Sequence, residues 1–367
     1  MIGLWGVPAV IAAAYYTAAI LGALKHLRKR QPPAGYQPPI SILKPVHGRD
    51  PRFYEAIRSH ALQRYPEFEI LFGVHDPAGP AIADIERLRA EFPDLPIRLI
   101  QASVSSPNGK VGVLQVLAAE ARHLVLLVSD SDILVEPDYL TRVASPLAEP
   151  EIGLVTCLYR ASAESVPARW EALGIATEFA PSVLVAPLAG IDGIALGSTM
   201  VFRRRDLERI GGFEAISGYI ADDYQLGARI AALGLRVHLS DVVVETSLSG
   251  ESWADVWRHQ LRWSRTIRVS RTAGYYGYLV TEATAWALLA AIAGEWLAVA
   301  LALGTRLAAG WLVGVRVLRD RAVATRWPLI PLRDLFGFAV WVAGLTGTSV
   351  EWRGKRMRLS PDGRIIG

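Results

Sequence analysis

The chain has 367 residues, of which 51% are apolar and 20% charged, with a formal net charge of +4. Its mean hydropathy is positive, which points to membrane segments, yet the charge content still requires a water-facing globule with a core large enough to fold. The single cysteine, Cys157, excludes an intrachain disulfide, and no Cys/His cluster suggests zinc.

Residues Ile2 to Leu24 carry no charge, enough for one helix across a bilayer at ~20 residues. Lys25, His26, Arg28, Lys29 and Arg30 follow at once. Basic residues just past a span stay in the cytosol, so the amino terminus is expected outside and the following chain inside. A cleaved signal peptide fits less well, because its charges would precede the apolar stretch. Residues 1–25 are therefore read as a transmembrane anchor. Residues 26–39, with the run Gln31-Pro-Pro-Ala-Gly-Tyr-Gln-Pro-Pro39, are read as a basic, proline-stiffened linker.

From residue 40 to about 250, β-rich runs alternate with helical patterns. Strands are predicted at Ile40–Leu43, Glu69–Val74, Ile97–Gln101, Leu124–Val128, Gly153–Leu158, Ser198–Phe202 and Val242–Thr246. Helical spacing falls on Phe53–Gln63, Ile82–Glu91, Val111–Arg122 and Tyr224–Leu233, with Gly234 suited to a helix stop. Such alternation predicts an α/β domain around a mainly parallel sheet. Ligands in open α/β sheets bind at the carboxyl ends of the strands. There the apolar run Leu124-Val-Leu-Leu-Val128 leads into Asp130 and Asp132. Two acids so placed repel unless a cation sits between them, and Mg²⁺ is held by one or two carboxylates plus substrate phosphates. The alternative is that the pair caps a helix or lies in a solvated turn.

Residues 251–275 form a predicted amphipathic helix. Trp253, Val256, Trp257, Leu261 and Ile267 share helical spacing, and Arg258, Arg262, Arg265, Arg268 and Arg271 give a basic face. This suits a helix in the membrane interface, the alternative being a surface helix packed on the core. Residues 276–350 hold two imperfect apolar blocks, Leu279–Leu318 and Leu329–Val350. Glu295 and Arg306 interrupt the first, and intramembrane charges usually face protein, so neither is expected to face lipid. The basic loop Arg316–Arg326 and the basic tail 351–367 both favour the cytosol, which conflicts with simple span counting.

Further groups join the acid pair: His75-Asp76-Pro77 after a strand, Asn108-Gly-Lys-Val-Gly-Val-Leu114 before a helix, Tyr219-Ile-Ala-Asp-Asp-Tyr224, and His259-Gln-Leu-Arg-Trp263. In this order the chain resembles family 2-like nucleotide-sugar glycosyltransferases of the GT-A fold. The nearer resemblance is to the ceramide glucosyltransferase branch, family 21, which includes bacterial hopanoid-associated transferases. Ile40-Ser-Ile-Leu-Lys-Pro45, Tyr219–Tyr224 and Val350-Glu-Trp-Arg-Gly354 carry it, over nearly the whole chain.

The resemblance implies that Asp76, Lys110, Asp130 and Arg262 bind the donor, with Asp76 at its uracil or ribose. It makes Asp130 a metal ligand, joined here by Asp132, for a divalent cation, Mg²⁺ or Mn²⁺. Asp223 becomes the catalytic base of an inverting displacement, while Asp222, His259 and Trp263 serve the acceptor. At His259 the family usually has Gln or Arg; Gln260 stands one place late and is expected to point elsewhere. Gly112 and Val113 also replace the usual Asn residues.

The expected activity is hexose transfer from a UDP-sugar to a lipid hydroxyl. The setting would be a multi-pass protein of a bacterial-type inner membrane with its catalytic domain in the cytosol. Ceramide ranks first as acceptor and a hopanoid polyol second, with glucose or N-acetylglucosamine as sugar; diacylglycerol is a further option. Alternatives are a processive polysaccharide synthase, which normally needs more membrane helices, and an inactive lipid-binding scaffold, which would have lost the acids. Nucleic-acid binding is not expected, because the arginine-rich helix lies between a globule and membrane segments.

Overall fold

The computed structural model describes residues 3–29, 35–102, 105–248, 252–352 and 355–366. The chain forms two compact units: residues 30–159 with 192–249, and residues 1–29 with 160–191 and 250–367.

The first unit is built on a seven-stranded sheet of order β3-β2-β1-β4-β6-β5-β7. Its strands are β1 (Ile40–Val46), β2 (Phe68–Val74), β3 (Ile97–Gln101), β4 (Val125–Val128), β5 (Ile152–Ser162), β6 (Met200–Arg203) and β7 (Arg236–Ser247). The first four run parallel, whereas β6 is antiparallel to both β4 and β5. The predicted parallel character therefore holds for one half of the sheet only. Leu124, expected in the fourth strand, is exposed ahead of it.

Alternation along the strands divides the core into two layers. Ile40, Ile42, Ile70, Phe72, Val125 and Leu127 face one side, packed by Phe53 and Ile57 and by Ile85 and Leu88 of two helices, Phe53–Ala61 and Ile82–Glu91. Leu43, Leu71, Leu126, Val128 and Leu154 face the other, against Val111, Leu114 and Leu117 of Gly109–Glu120 and Leu226 and Ile230 of Asp222–Ala232. Both sheet faces are covered, which is why β4 reads as an unbroken apolar run. Gly73 lets one helix approach closely: a Cβ there would lie 2.3 Å from Val113. The helix after the Asp222–Asp223 pair ends where predicted, with Gly234 at φ +81°.

The other unit is helical. Among the described residues three of its helices are long and apolar enough to cross a membrane: Leu4–Leu27, Val166–Ala189 and Trp296–Val317. The second has no counterpart in the sequence reading. Its buried face resembles a core helix in composition, and Pro167, Pro181 and Pro187 obscure its period. The block predicted at Leu279–Leu318 resolves into a short helix, Ala283–Ile292, and the span beginning at Trp296. The last apolar helix, Ile330–Gly344, has 15 residues, short of the ~20 that a crossing needs.

Small residues make these helices fit. Ala9, Ala12 and Ala19 pack with Ala298, Ala302 and Ala309 in one cluster, the close backbone approach that small side chains allow. Arg306, fully buried, gives Nε and Nη2 to Asp334 at 2.6–3.1 Å and Nη1 to the Thr177 carbonyl at 2.8 Å; Asp334 also accepts from Thr284 at 2.7 Å. Glu295 accepts from the Gly3 amide at 2.8 Å. Both charges therefore meet protein, as expected. Removing one partner of a buried pair strands the other. Arg306→Met is expected to lower stability by about 3–5 kcal/mol, while Arg306→Met with Asp334→Leu recovers most of the loss. Thermal unfolding in detergent checks this, and an unchanged Tm for the single variant refutes it.

The predicted interfacial helix runs from Trp253 to Ser270, opened by a capping box of Ser252 and Asp255. Its basic face is not simply presented outward. Arg265 donates to the Thr346 and Ser349 carbonyls at 3.1 and 2.7 Å, and Arg268 to those of Leu345 and Gly347. These arginines tie the helix to the turn after Gly344, a use that residue spacing does not reveal. Residues 30–34 of the linker, and residues 353, 354 and 367 of the tail, lie outside the described residues.

Candidate active site

The carboxyl ends of the parallel strands gather the site. Asp130 follows β4, Asp76 follows β2 and Asp50 follows β1, all at one edge of the sheet. Asp76 Oδ1 accepts from the Ala78 amide at 2.9 Å, so this carboxylate shapes its own exposed turn.

Lys110 stands in the first turn of Gly109–Glu120, set by Asn108. The Asn108 side chain caps the helix, accepting from the Lys110 and Val111 amides at 3.1 and 3.3 Å. Its Nδ2 donates to the Tyr219 carbonyl at 2.8 Å and its amide to Ser217 at 3.0 Å. One residue thus fixes both the lysine and the loop that leads to Asp222. Lys110 Nζ lies 2.8 Å from Asp130 Oδ1 and 3.3 Å from Asp222 Oδ2. Burial opposes its charge, but Asp130, Asp222 and Asp223 outweigh that and hold the ammonium above the usual lysine range.

Asp222 and Asp223 open the helix Asp222–Ala232, where the helix dipole favours negative charge. Asp223 accepts from the Tyr224 amide at 2.7 Å through Oδ1 and from the Gly197 amide at 3.0 Å through Oδ2. Burial, then the neighbouring Asp222, pushes its carboxyl up to about 6 against the pull of Lys110 and these amides. Gly197 is the centre of the group. A Cβ there would lie 3.3 Å from Asp130 Oδ2, 3.3 Å from Lys110 Nζ and 3.5 Å from Asp223 Oδ2. Asp130 and Asp223 therefore share one cleft with Lys110 and Asp222, around a glycine whose missing side chain leaves these groups uncrowded.

Asp132 lies beneath this group and accepts from the Thr246 hydroxyl. Burial and the charges of Asp130 and Asp50 raise it to about 6. That repulsion is what a cation would relieve, and paired carboxylates with phosphate and water suit Mg²⁺ or Mn²⁺. Among the described residues no group of three or more His, Cys, Asp or Glu side chains is placed to hold a metal.

Sequence reasoning gave no individual role to Lys44. It is fully buried, donates to Ser129 Oγ at 3.1 Å and to the Asp130 carbonyl at 2.9 Å, and burial lowers it to about 7 despite Asp132 and Asp130. A lysine inside the apolar run Ile40–Val46 was the available signal. Asn108 directly before a helix was a local signal, but its bond to the Tyr219 carbonyl and the bond from Thr246 to Asp132 gave none, because those partners are distant in sequence.

His259, Arg262 and Trp263 belong to the helical unit. His259 and Gln260 both reach the Glu171 carboxylate, contrary to the expectation that Gln260 points elsewhere. Adjacent helical side chains diverge by about 100°, but a buried carboxylate between them can serve both. The His259 and Trp263 rings lie 4.7 Å apart.

This parallel half-sheet, with acids at its carboxyl edge, is the GT-A fold of nucleotide-sugar transferases. A mannosyltransferase from Pyrobaculum calidifontis, solved in complex with GDP-Man and Mn2+, superposes with a TM-score of 0.56 at 21% identity, over 93% of this chain and 99% of that one. The chain belongs to glycosyl transferase family 21, whose pattern it matches over residues 5–365. Two relatives are from Caenorhabditis elegans. Ceramide glucosyltransferase 1 is 25% identical over 225 residues, covering 60% of this chain and 48% of that protein. Ceramide glucosyltransferase 3 is 26% identical over 207 residues, covering 55% and 45%. The chain thus spans about half the length of the curated relatives it matches.

Proposed function

We propose that this protein is an inverting glycosyltransferase that moves a hexose from a UDP-sugar to a lipid hydroxyl, with ceramide as first acceptor and glucose as first sugar. A hopanoid polyol with N-acetylglucosamine is the second pairing. The observation that carries the reading is the convergence of Lys110, Asp130 and Asp223 on Gly197. A diphosphate needs cationic partners, and an acceptor alcohol needs a carboxylate at hand; this cleft holds both.

In this reading Asp76 meets the nucleoside of the donor, and Lys110 faces its diphosphate. Asp130 and Asp132 hold the divalent cation, which when bound supplies Lewis-acid stabilisation of the departing nucleotide. Asp223 accepts the proton of the acceptor hydroxyl as that oxygen attacks the anomeric carbon from the face opposite the leaving diphosphate. One displacement of this kind inverts configuration. Asp222 balances Lys110 and supports the acceptor side. Arg262 serves the diphosphate, and Trp263 and His259 the acceptor.

Support for the lipid acceptor comes from the ceramide glucosyltransferases among the relatives and from the apolar helices. With the first apolar helix as anchor and basic residues after it, we place the catalytic unit in the cytosol at a bacterial-type inner membrane.

The test is direct transfer. Purified full-length protein with Mn²⁺ is given UDP-glucose or UDP-N-acetylglucosamine and ceramide, hopanoid polyol or diacylglycerol, and products are read by mass spectrometry. Glucosylceramide carrying a β-linkage is the expected product. No glycolipid from any pairing would refute the proposal.

A further inference from the structure

The helical unit contains a cavity bounded by the stretch 174–179, the helix Trp253–Ser270, residues 275–282 and the helix Ile330–Gly344. Trp263 and Trp341 contribute apolar wall, while Glu178, Gln260, Glu282 and Arg333 contribute polar groups. At about 70 Å³ the cavity has room for the polar head of a larger molecule rather than the whole of it, and a few convergent polar groups in an apolar wall suit such a subsite.

The polar groups are fixed but not satisfied. Arg333 is 1% exposed and gives Nη2 to Gln260 Oε1 at 3.0 Å. Gln260 is itself held by its Nε2 on Glu171 at 3.0 Å. Arg333 Nη1 lies 3.3 Å from Glu178 Oε2 as an ion pair, yet Nε, Nη1 and that carboxylate oxygen make no hydrogen bond among the described residues. Unmade hydrogen bonds on buried charged groups are costly and call for a partner. Two glycines create the room. A Cβ on Gly174 would lie 2.2–2.6 Å from the Arg333 guanidinium, and one on Gly337 would lie 3.2 Å from both Arg333 Nη1 and the Glu178 oxygens.

Charge then selects the ligand. Burial lifts the Glu282 carboxyl to about 9, so it is uncharged at neutral pH; among the described lining residues Glu178 then stands against Arg333, while Arg306 and Asp334 neutralise each other apart from the cavity. An anionic headgroup meets the Glu178 carboxylate and a cationic one the Arg333 guanidinium, and these two balance each other with no charge left over for either. An uncharged head with an N–H or O–H donor for Glu178 and a carbonyl or hydroxyl for Arg333 satisfies both. We infer that this cavity binds the uncharged, hydrogen-bonding head of a lipid, and so forms the acceptor-selecting site of the transferase; this rests on the lipid-acceptor reading above.

The probe is a short-chain ceramide carrying a diazirine beside its amide, added to the full-length protein in detergent. Adducts are expected on peptides spanning 174–179, 260–267 and 333–341, suppressed by unlabelled ceramide or a hopanoid polyol. Adducts confined to the exposed faces of the spans overturn the inference, as does equal suppression by sphingosine or phosphatidylglycerol. Glu178→Gln and Arg333→Lys are each expected to raise the KM for ceramide about tenfold while UDP affinity, read by calorimetry, is unchanged; an unaltered ceramide KM overturns the inference. If Arg333→Lys fails to fold, Gly337→Ala, which adds a methyl beside the polar cluster, provides the same KM reading. Cavity labelling in a protein that transfers sugar to no lipid keeps the binding site and refutes the functional reading.

Discussion

Asp223→Asn is expected to cut sugar transfer by about 10²–10⁴-fold while leaving UDP binding and unfolding temperature near the wild-type values. The change keeps side-chain shape and an acceptor for the Gly197 amide, but removes the group proposed to take the alcohol's proton. The pH profile gives a second reading. With Asp223 raised to about 6, its carboxylate is present above that pH and lost below it. The wild-type rate should therefore fall as pH drops through about 6, and the residual rate of the Asn variant should lack that limb. Asp222→Asn, which leaves the proposed base in place, should cost less. A variant at 223 that retains activity within a few-fold of wild type, or a 222 variant that is the more damaged, would remove Asp223 from the role of base.

Asp130→Asn should lower kcat/KM by at least about 10²-fold, with a different signature. It takes one carboxylate from the pair proposed to hold the cation and leaves Lys110 without its 2.8 Å partner. Calorimetry should show that Mn²⁺ strengthens UDP binding to the wild type and does so far less for the variant. Lys110→Met separates the two contributions: it should weaken UDP binding both with and without Mn²⁺. Equal Mn²⁺ enhancement in wild type and Asp130→Asn would show that the cation sits elsewhere.

Much was legible in the chain because it depends on local period and residue chemistry. The runs Ile40–Leu43, Glu69–Val74 and Leu124–Val128 read as buried strands because both faces of the sheet are covered, so no regular polar alternation appears; the polar exceptions, Ser41 and Glu69, are buried and hydrogen-bonded to each other at 2.7 Å. The family resemblance rested on short motifs whose chemistry is local: an acid pair after a strand, a lysine opening a helix, paired acids at the next helix start. What was not legible involved distance along the chain. The antiparallel turn of β6 against β4 is set by how the chain returns across residues 160–199, which no residue pattern records. The Val166–Ala189 helix, with its prolines and its Glu171 and Glu178, lacks the clean apolar run of a recognisable span.

The sequence by itself determined the seven strands and the four longer helices of the sheet unit and the chemical types at its site, but not the short helices Tyr139–Ala144 and Arg204–Arg209, since hydrophobic period needs length to show and side-chain chemistry is a property of single segments. Only tertiary structure decided that Asp130, Lys110 and Asp223 meet at Gly197, that Lys44 holds the Asp130 carbonyl from beneath, and that Gln260 joins His259 on Glu171. The physical reason is that strand order and helix packing bring together groups tens to more than a hundred residues apart. Their distances and pKa directions follow from burial and neighbouring charge, which exist only once the chain has folded.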